Sequence, residues 1–159
     1  VPEMALQEAM MSNDILDHLK SLHTRAIDAR NGYREALKDA DGKGMTPLFG
    51  DMIALHERNA AELAHELTKA NETLDEKGSF MTVVHETIMD VRSLFNGLDE
   101  SVLPGLIDGE KRNVAKYDDA LTDAQGTPAV AGLLTAQRNS IAKKIASMEA
   151  TKAASEHVA

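Results

Sequence analysis

Few residues in this chain have the type and spacing to carry chemistry. They are Glu62-Leu63-Ala64-His65, Glu110, His56 with Asn59 three positions on, His23, Arg30 and Gln137. A Glu-x-x-His on each of two helices, joined by a glutamate from each of two others, makes a di-metal carboxylate site. The carboxylates offset two cations and the imidazoles fill the remaining positions. Here the set is incomplete. Arg30 stands where the first helix should offer an acid, the second helix has His56-x-x-Asn59, and the fourth has Gln137 with Ser140 three residues on. The literal Glu62-x-x-His65 is out of phase, because Leu63 faces inward, leaving Glu62 at the flank and His65 toward solvent. With Cys 0, thiol chemistry is excluded. Neither a Gly-rich phosphate loop nor a Ser/His/Asp arrangement occurs.

The elements that must position these residues repeat. Tyr33-x-x-Ala36-Leu37, Thr46-Pro47 and Arg58-Asn59 are followed later by Tyr117-x-x-Ala120-Leu121, Thr127-Pro128 and Arg138-Asn139. Each set describes an amphipathic helix, a break, a Thr-Pro helix start with Thr as cap, and a second helix. The first helix is predicted over 13–41, capped by Ser12 or Asn13, with Ile15, Leu19, Leu22, Ala26, Tyr33 and Leu37 as its apolar stripe. The second carries Leu48, Met52, Leu63 and Leu67 inward and fades near Asn71. The third starts around 99–101 with Leu103, Ile107, Val114, Tyr117 and Leu121. The fourth packs through Val130, Leu134, Ile141, Ile145 and Met148.

Between the hairpins, Ser79 caps a further predicted helix with the stripe Phe80, Val84, Ile88, Val91 and Phe95. About eighteen residues of helix span ~27 Å, enough to run back along much of a bundle. The expected fold is therefore all-α: a four-helix bundle of two helical hairpins joined by a long crossover containing an extra helix, which is ferritin-like connectivity. The organisation expected is a flexible segment over 1–12, the bundle over 13–152 and a frayed tail over 153–159.

Taking ~100° per residue, each main helix sends a polar side chain toward the centre: Arg30, Tyr33 and, nearer the edge, His23 from the first, His56 and Asn59 from the second, Glu110 from the third and Gln137 from the fourth. Buried polar groups require partners, so Arg30, Tyr33, His56, Asn59, Glu110 and Gln137 are expected to form an inner polar cluster. Its anchor is an Arg30–Glu110 ion pair, with His56 bonded to Asn59 or Glu110. The contrasting expectation makes Glu110, His56 and His23 ligands of a single Fe or Zn ion. His18, His85 and His157 are placed at the surface.

Composition narrows the partners. Net charge is −9 and the aromatic content 3%. An acidic surface repels phosphate backbones and anionic lipid, which argues against nucleic acid and membrane surfaces. No apolar run approaches the ~20 residues that span a bilayer. Val1-Pro2-Glu3-Met4 has no signal-peptide pattern, so a cytoplasmic location is expected, with Met4, Met10 or Met11 as candidate translation starts. A homodimer or a protein partner is expected, through an apolar patch of Met10, Met11, Phe95 and Leu98.

Asn31-Gly32-Tyr33-Arg34-Glu35-Ala36, Leu48-Phe49, Ala61-Glu62-Leu63 and Asp108-Gly109-Glu110 with the following Tyr117-x-x-Ala120-Leu121 carry a resemblance that spans residues 13–148. On these motifs the chain resembles a bacterial group of small four-helix-bundle proteins of unknown function in the ferritin-like superfamily. The resemblance implies a ferritin-like bundle linked to bacterial stress settings, with no established reaction. It also implies an acid three residues before the first-helix aromatic, where this chain has Arg30, and a Glu seven residues before the third-helix aromatic, retained as Glu110. That departure favours the Arg30–Glu110 pair over a carboxylate pair. The function expected is a non-catalytic protein acting through assembly or partner binding, the alternative a degenerate metal-binding or metal-sensing bundle.

Overall fold

In the computed structural model, the described residues are 12–39, 44–72 and 102–158. They form four α-helices: α1 (Asn13–Asp39), α2 (Thr46–Lys69), α3 (Leu103–Asp123) and α4 (Pro128–Val158). The proposed crossover helix, the segment 1–11, His85 and the Met10, Met11, Phe95 and Leu98 patch lie outside the described residues, as does the side chain of His157.

Each helix starts for a local reason. Ser12 Oγ accepts the Ile15 N–H at 3.2 Å and its carbonyl accepts the Leu16 N–H, which caps α1. At α2 the structure differs from the Thr-cap expectation. Met45 occupies the cap position with no side-chain cap bond, and Thr46 already lies inside the helix. At α4, Thr127 does precede the helix, and its carbonyl accepts the Ala131 N–H at 2.9 Å. α3 begins at Leu103, later than the Asp99–Ser101 estimate, with Pro104 in its first turn.

The end of α2 is a reversal through a left-handed residue. Asn71 has φ 61°, a conformation that Asn tolerates better than most side chains. The Glu72 N–H bonds the Leu67 carbonyl at 2.9 Å and the Asn71 N–H bonds Thr68 at 3.0 Å, the paired pattern of a Schellman cap. α4 continues as helix to Val158, past the Lys152 boundary expected from sequence. Ala150, Ala153 and Ala154 favour helix even without inward neighbours.

The stripes meet in one core. Leu19, Leu22, Tyr33, Phe49, Met52, Leu63, Leu67, Leu103, Ile107, Tyr117, Leu134, Ile141 and Met148 are buried together, with Leu37, Leu48, Val114 and Leu121 partly buried against them. α1 pairs with α2 and α3 with α4 as hairpins, and those pairings pack far more extensively than α1 against α3 or α2 against α4. Cross-contacts fix the directions. His18 meets Asp123 and Tyr33 meets Glu110, so α1 and α3 are antiparallel. Asp51 meets Lys144 and Glu62 meets Gln137, so α2 and α4 are antiparallel too. Consequently α2 ends, and α3 begins, at opposite ends of the bundle. No described helix is long and apolar enough to cross a membrane.

Candidate functional site

The core apolar stripes bring three helices to one carboxylate. Glu110 on α3 is 3% exposed and His56 on α2 is 2% exposed. His56 Nε2 lies 2.9 Å from Glu110 Oε1. The Tyr33 hydroxyl of α1 donates to the same oxygen at 3.0 Å, and Asn113 Nδ2, one helical turn along α3, donates to Oε2 at 3.2 Å. Arg25 Nε donates to Asn113 Oδ1 at 2.8 Å, which turns the amide so that its nitrogen faces Glu110. Tyr33 is fixed on both sides. Its ring stacks on His56 at 5.9 Å and 14°, and tilts against Phe49 at 5.9 Å and 47°.

A second polar group lies across the core. The Tyr117 hydroxyl donates to Gln137 Oε1 at 2.7 Å. Gln137 Nε2 then reaches the Asn59 carbonyl at 3.3 Å and Glu62 Oε1 at 3.2 Å. Asn59 Nδ2 is buried without a hydrogen-bond partner. His56 and Gln137 each stand ten residues after the Thr of their Thr-Pro pair (46 + 10 and 127 + 10). Each also meets the tyrosine of its own hairpin, by ring stacking in one case and by a hydrogen bond in the other.

The expected anchor is corrected. Arg30 is half-buried and bonds its neighbour Asn31 Oδ1 through Nε at 3.2 Å and Nη2 at 3.1 Å. No ion pair joins it to Glu110, whose close partner is His56. The physical reason is reach: Asn31 offers an acceptor at the rim, where the guanidinium keeps part of its hydration. Tyr33, His56 and Glu110 come together, while Asn59 and Gln137 belong to the second group. His23 is buried on α1. Among the described residues no group of three or more His, Asp or Glu side chains is placed to hold a metal ion. His18 is partly exposed and bonds Asp123 at 2.8 Å.

Sequence reasoning missed Arg25, Asn113 and the contact made by Glu62. Asn113 follows Glu110 by three residues, a spacing that places the two side chains side by side on one helix face, and that was the available signal. Arg25 and Glu62 flank their stripes and gave none, because their reach comes from long side chains.

Burial alone pushes the Glu110 carboxyl up, but the positive His56 ring and the hydrogen bonds from His56, Asn113 and Tyr33 outweigh it and hold the group below its ordinary value. Burial, then the charge of Glu110 and the bond to it, raises the Tyr33 phenol well above its ordinary value. Burial, with the charges of Glu110 and Glu62, raises Tyr117 as well. Both phenols are therefore donors at neutral pH. Burial, with the nearby Arg112 charge, lowers Arg25, and Glu110 and Asp28 oppose that shift. A carboxylate held below its ordinary value is a weaker general base than a free one.

The sign of the pH effect follows. Because folding depresses the Glu110 value, its stabilising contribution is present above the ordinary carboxylate range, near about 4.3. It is lost as pH falls through the folded value. Urea unfolding between neutral and acid pH should therefore show a steeper loss for the native chain than for Glu110→Gln. Parallel curves would mean that Glu110 titrates as it does in the unfolded chain.

A separate cleft of about 330 Å³ opens between α2 and α4, lined by Ala61, Glu62, His65, Glu66 and Leu133. Neither Glu110 nor His56 lines it. His65 is exposed and Glu66 pairs with Lys69 at 3.6 Å.

Residues 14–123 match the family described as Domain of unknown function (DUF2383), well over half of the chain. No curated protein and no solved structure matches it.

Proposed function

This chain belongs to the DUF2383 family, a domain of unknown function, and from that premise we propose that it is a non-catalytic helical protein acting through assembly or partner binding. Its inner polar cluster sets the register of the helices. The observation that supports this most is the occupancy of the Glu110 carboxylate. Donors from three helices, Tyr33, His56 and Asn113, already take its two oxygens. Three of its roughly four lone-pair positions are thereby engaged, and at 3% exposure the group is poorly placed to meet a metal ion or a substrate from solvent. In this proposal the bundle is a duplicated hairpin of ferritin-like architecture. It works in a bacterial cytoplasm, in a stress setting, as a homodimer or with a protein partner.

Metal content tests this reading against its contrast, a degenerate metal-binding or metal-sensing bundle. Tag-free protein and Glu110→Gln would be analysed by mass spectrometry as purified and after anaerobic Fe(II) or Zn(II) loading. No stoichiometric metal is expected in either sample. Metal held by the native chain and lost in Glu110→Gln would make His56 and Glu110 ligands and overturn the proposal.

A further inference from the structure

We propose that the outward face of α1, at Thr24, Ile27 and Asp28, is the docking face for the chain's own segment 73–101, which crosses α1 obliquely from its α2 side to its α3 side. Any partner protein then docks elsewhere on the bundle.

Burial on α1 exceeds what its neighbouring helices give it. At ~100° per residue, Thr24 lies opposite Tyr33 and the core stripe, with Asp28 a little to one side. Yet Thr24 is 7% exposed and Asp28 0%. α2 flanks α1 through Lys20–Glu72 and Arg34–Glu57, and α3 flanks it through Arg25–Asn113 and His18–Asp123. The covered residues form a diagonal band. His23 and Ile27 on the α2 side, Thr24 and Asp28 outward, and Gly32 on the α3 side are all buried, while Asp17 before the band and Arg34 beyond it are exposed.

The path of the chain names the occupant. Glu72 Oε2 meets Lys20 Nζ at 2.7 Å, so the chain leaves α2 beside the early turns of α1. α3 begins at Leu103, ahead of Glu110, and runs antiparallel to α1 from the Tyr33–Glu110 bond. The chain therefore re-enters the bundle beside the last turns of α1, on its α3 side. The buried band runs between these two points. The alternative outer route passes over α4, but there the outward Asn139, Lys143 and Ala146 are exposed.

Length and composition agree. From Lys20 to Asp39 α1 rises ~29 Å, and residues 73–101 supply 29 residues (101 − 73 + 1), enough for that span even at helical rise. They bring Phe80, Val84, Ile88, Val91 and Phe95 to cover Ile27, and Lys77, His85 and Arg92 as counter-charges for Asp28. Segment 1–11, which enters α1 at Ser12, would meet Asp17 first, and Asp17 is exposed.

Thiol reactivity tests the docking, because the chain has Cys 0 and carries only the thiols introduced into it. In the native full-length chain, Thr24→Cys should react with an aromatic disulfide at least about tenfold more slowly than Ala146→Cys, as a site that reacts only on local opening. Adding Val84→Asp and Ile88→Asp should raise the Thr24→Cys rate to that of Ala146→Cys. The same two aspartates added to Met52→Cys, in the core, should leave that thiol protected, which shows the bundle intact. If they unfold it instead, disulfide trapping decides. Thr24→Cys should then close within one chain on Val84→Cys or Ile88→Cys, and Ala146→Cys should not; no closure at Thr24→Cys overturns the proposal. A Thr24→Cys thiol as fast as Ala146→Cys would show an open face, and protection that survives both aspartates would show another occupant. Either result overturns the proposal.

Discussion

Glu110→Ala should lower the free energy of unfolding by several kcal/mol, about 1–3 kcal/mol for each buried group left without its acceptor. The substitution leaves the His56 ring, 2% exposed, the Tyr33 hydroxyl and the Asn113 amide without their shared partner. Urea denaturation at neutral pH measures the loss. A companion variant separates charge from packing. The double substitution His56→Leu/Glu110→Leu removes both partners and should recover part of the stability, because apolar replacement of a buried pair is often neutral or better, while Tyr33 and Asn113 still lack their acceptor. A loss below about 1 kcal/mol for Glu110→Ala would mean that water reaches the pair.

The second large effect lies one layer away. Phe49 is 1% exposed and packs against the Tyr33 ring at 5.9 Å. Phe49→Ala should cost about 3–5 kcal/mol through lost burial and the cavity left behind, read by the same denaturation curves. It should also loosen the ring that holds the hydroxyl on Glu110. Phe49→Leu keeps most of the volume and should cost less than about 1.5 kcal/mol. Equal losses for the two variants would show that ring geometry, and not volume, is what the site requires.

Much of the fold was legible because helical period and burial agree in these segments. Leu19, Leu22, Met52, Leu63, Leu134 and Ile141 were assigned inward by spacing and are buried. The break signals near Asn71 and Thr127 also mark element ends. Thr46 failed as a cap because a Thr-Pro pair only permits a helix start nearby; here Met45 takes the cap position. For the site, angular position found Tyr33, His56, Asn59, Glu110 and Gln137 but not who bonds whom. Arg30 was matched to Glu110 by its inward position on the wheel and its opposite charge. Its side chain turns instead to Asn31 at the rim, whereas His56 reaches the carboxylate with a short, stiff ring. Arg25 and Glu62 were missed because a helical wheel describes Cβ directions, and long side chains act well beyond them.

The placement of the two tyrosines has an optical consequence. The chain has Trp 0 and Tyr 2, and both rings are buried, one in each hairpin. Tyrosine emission and near-ultraviolet dichroism therefore come from the core alone, with one native fluorophore per hairpin. Tyr33 donates to a carboxylate, a neighbour that quenches phenol emission, whereas Tyr117 donates to an amide. Loss of the Glu110 contact should brighten Tyr33 and leave Tyr117 nearly unchanged, so Tyr33→Phe and Tyr117→Phe would each give a chain whose light reports on a single hairpin, without an added label.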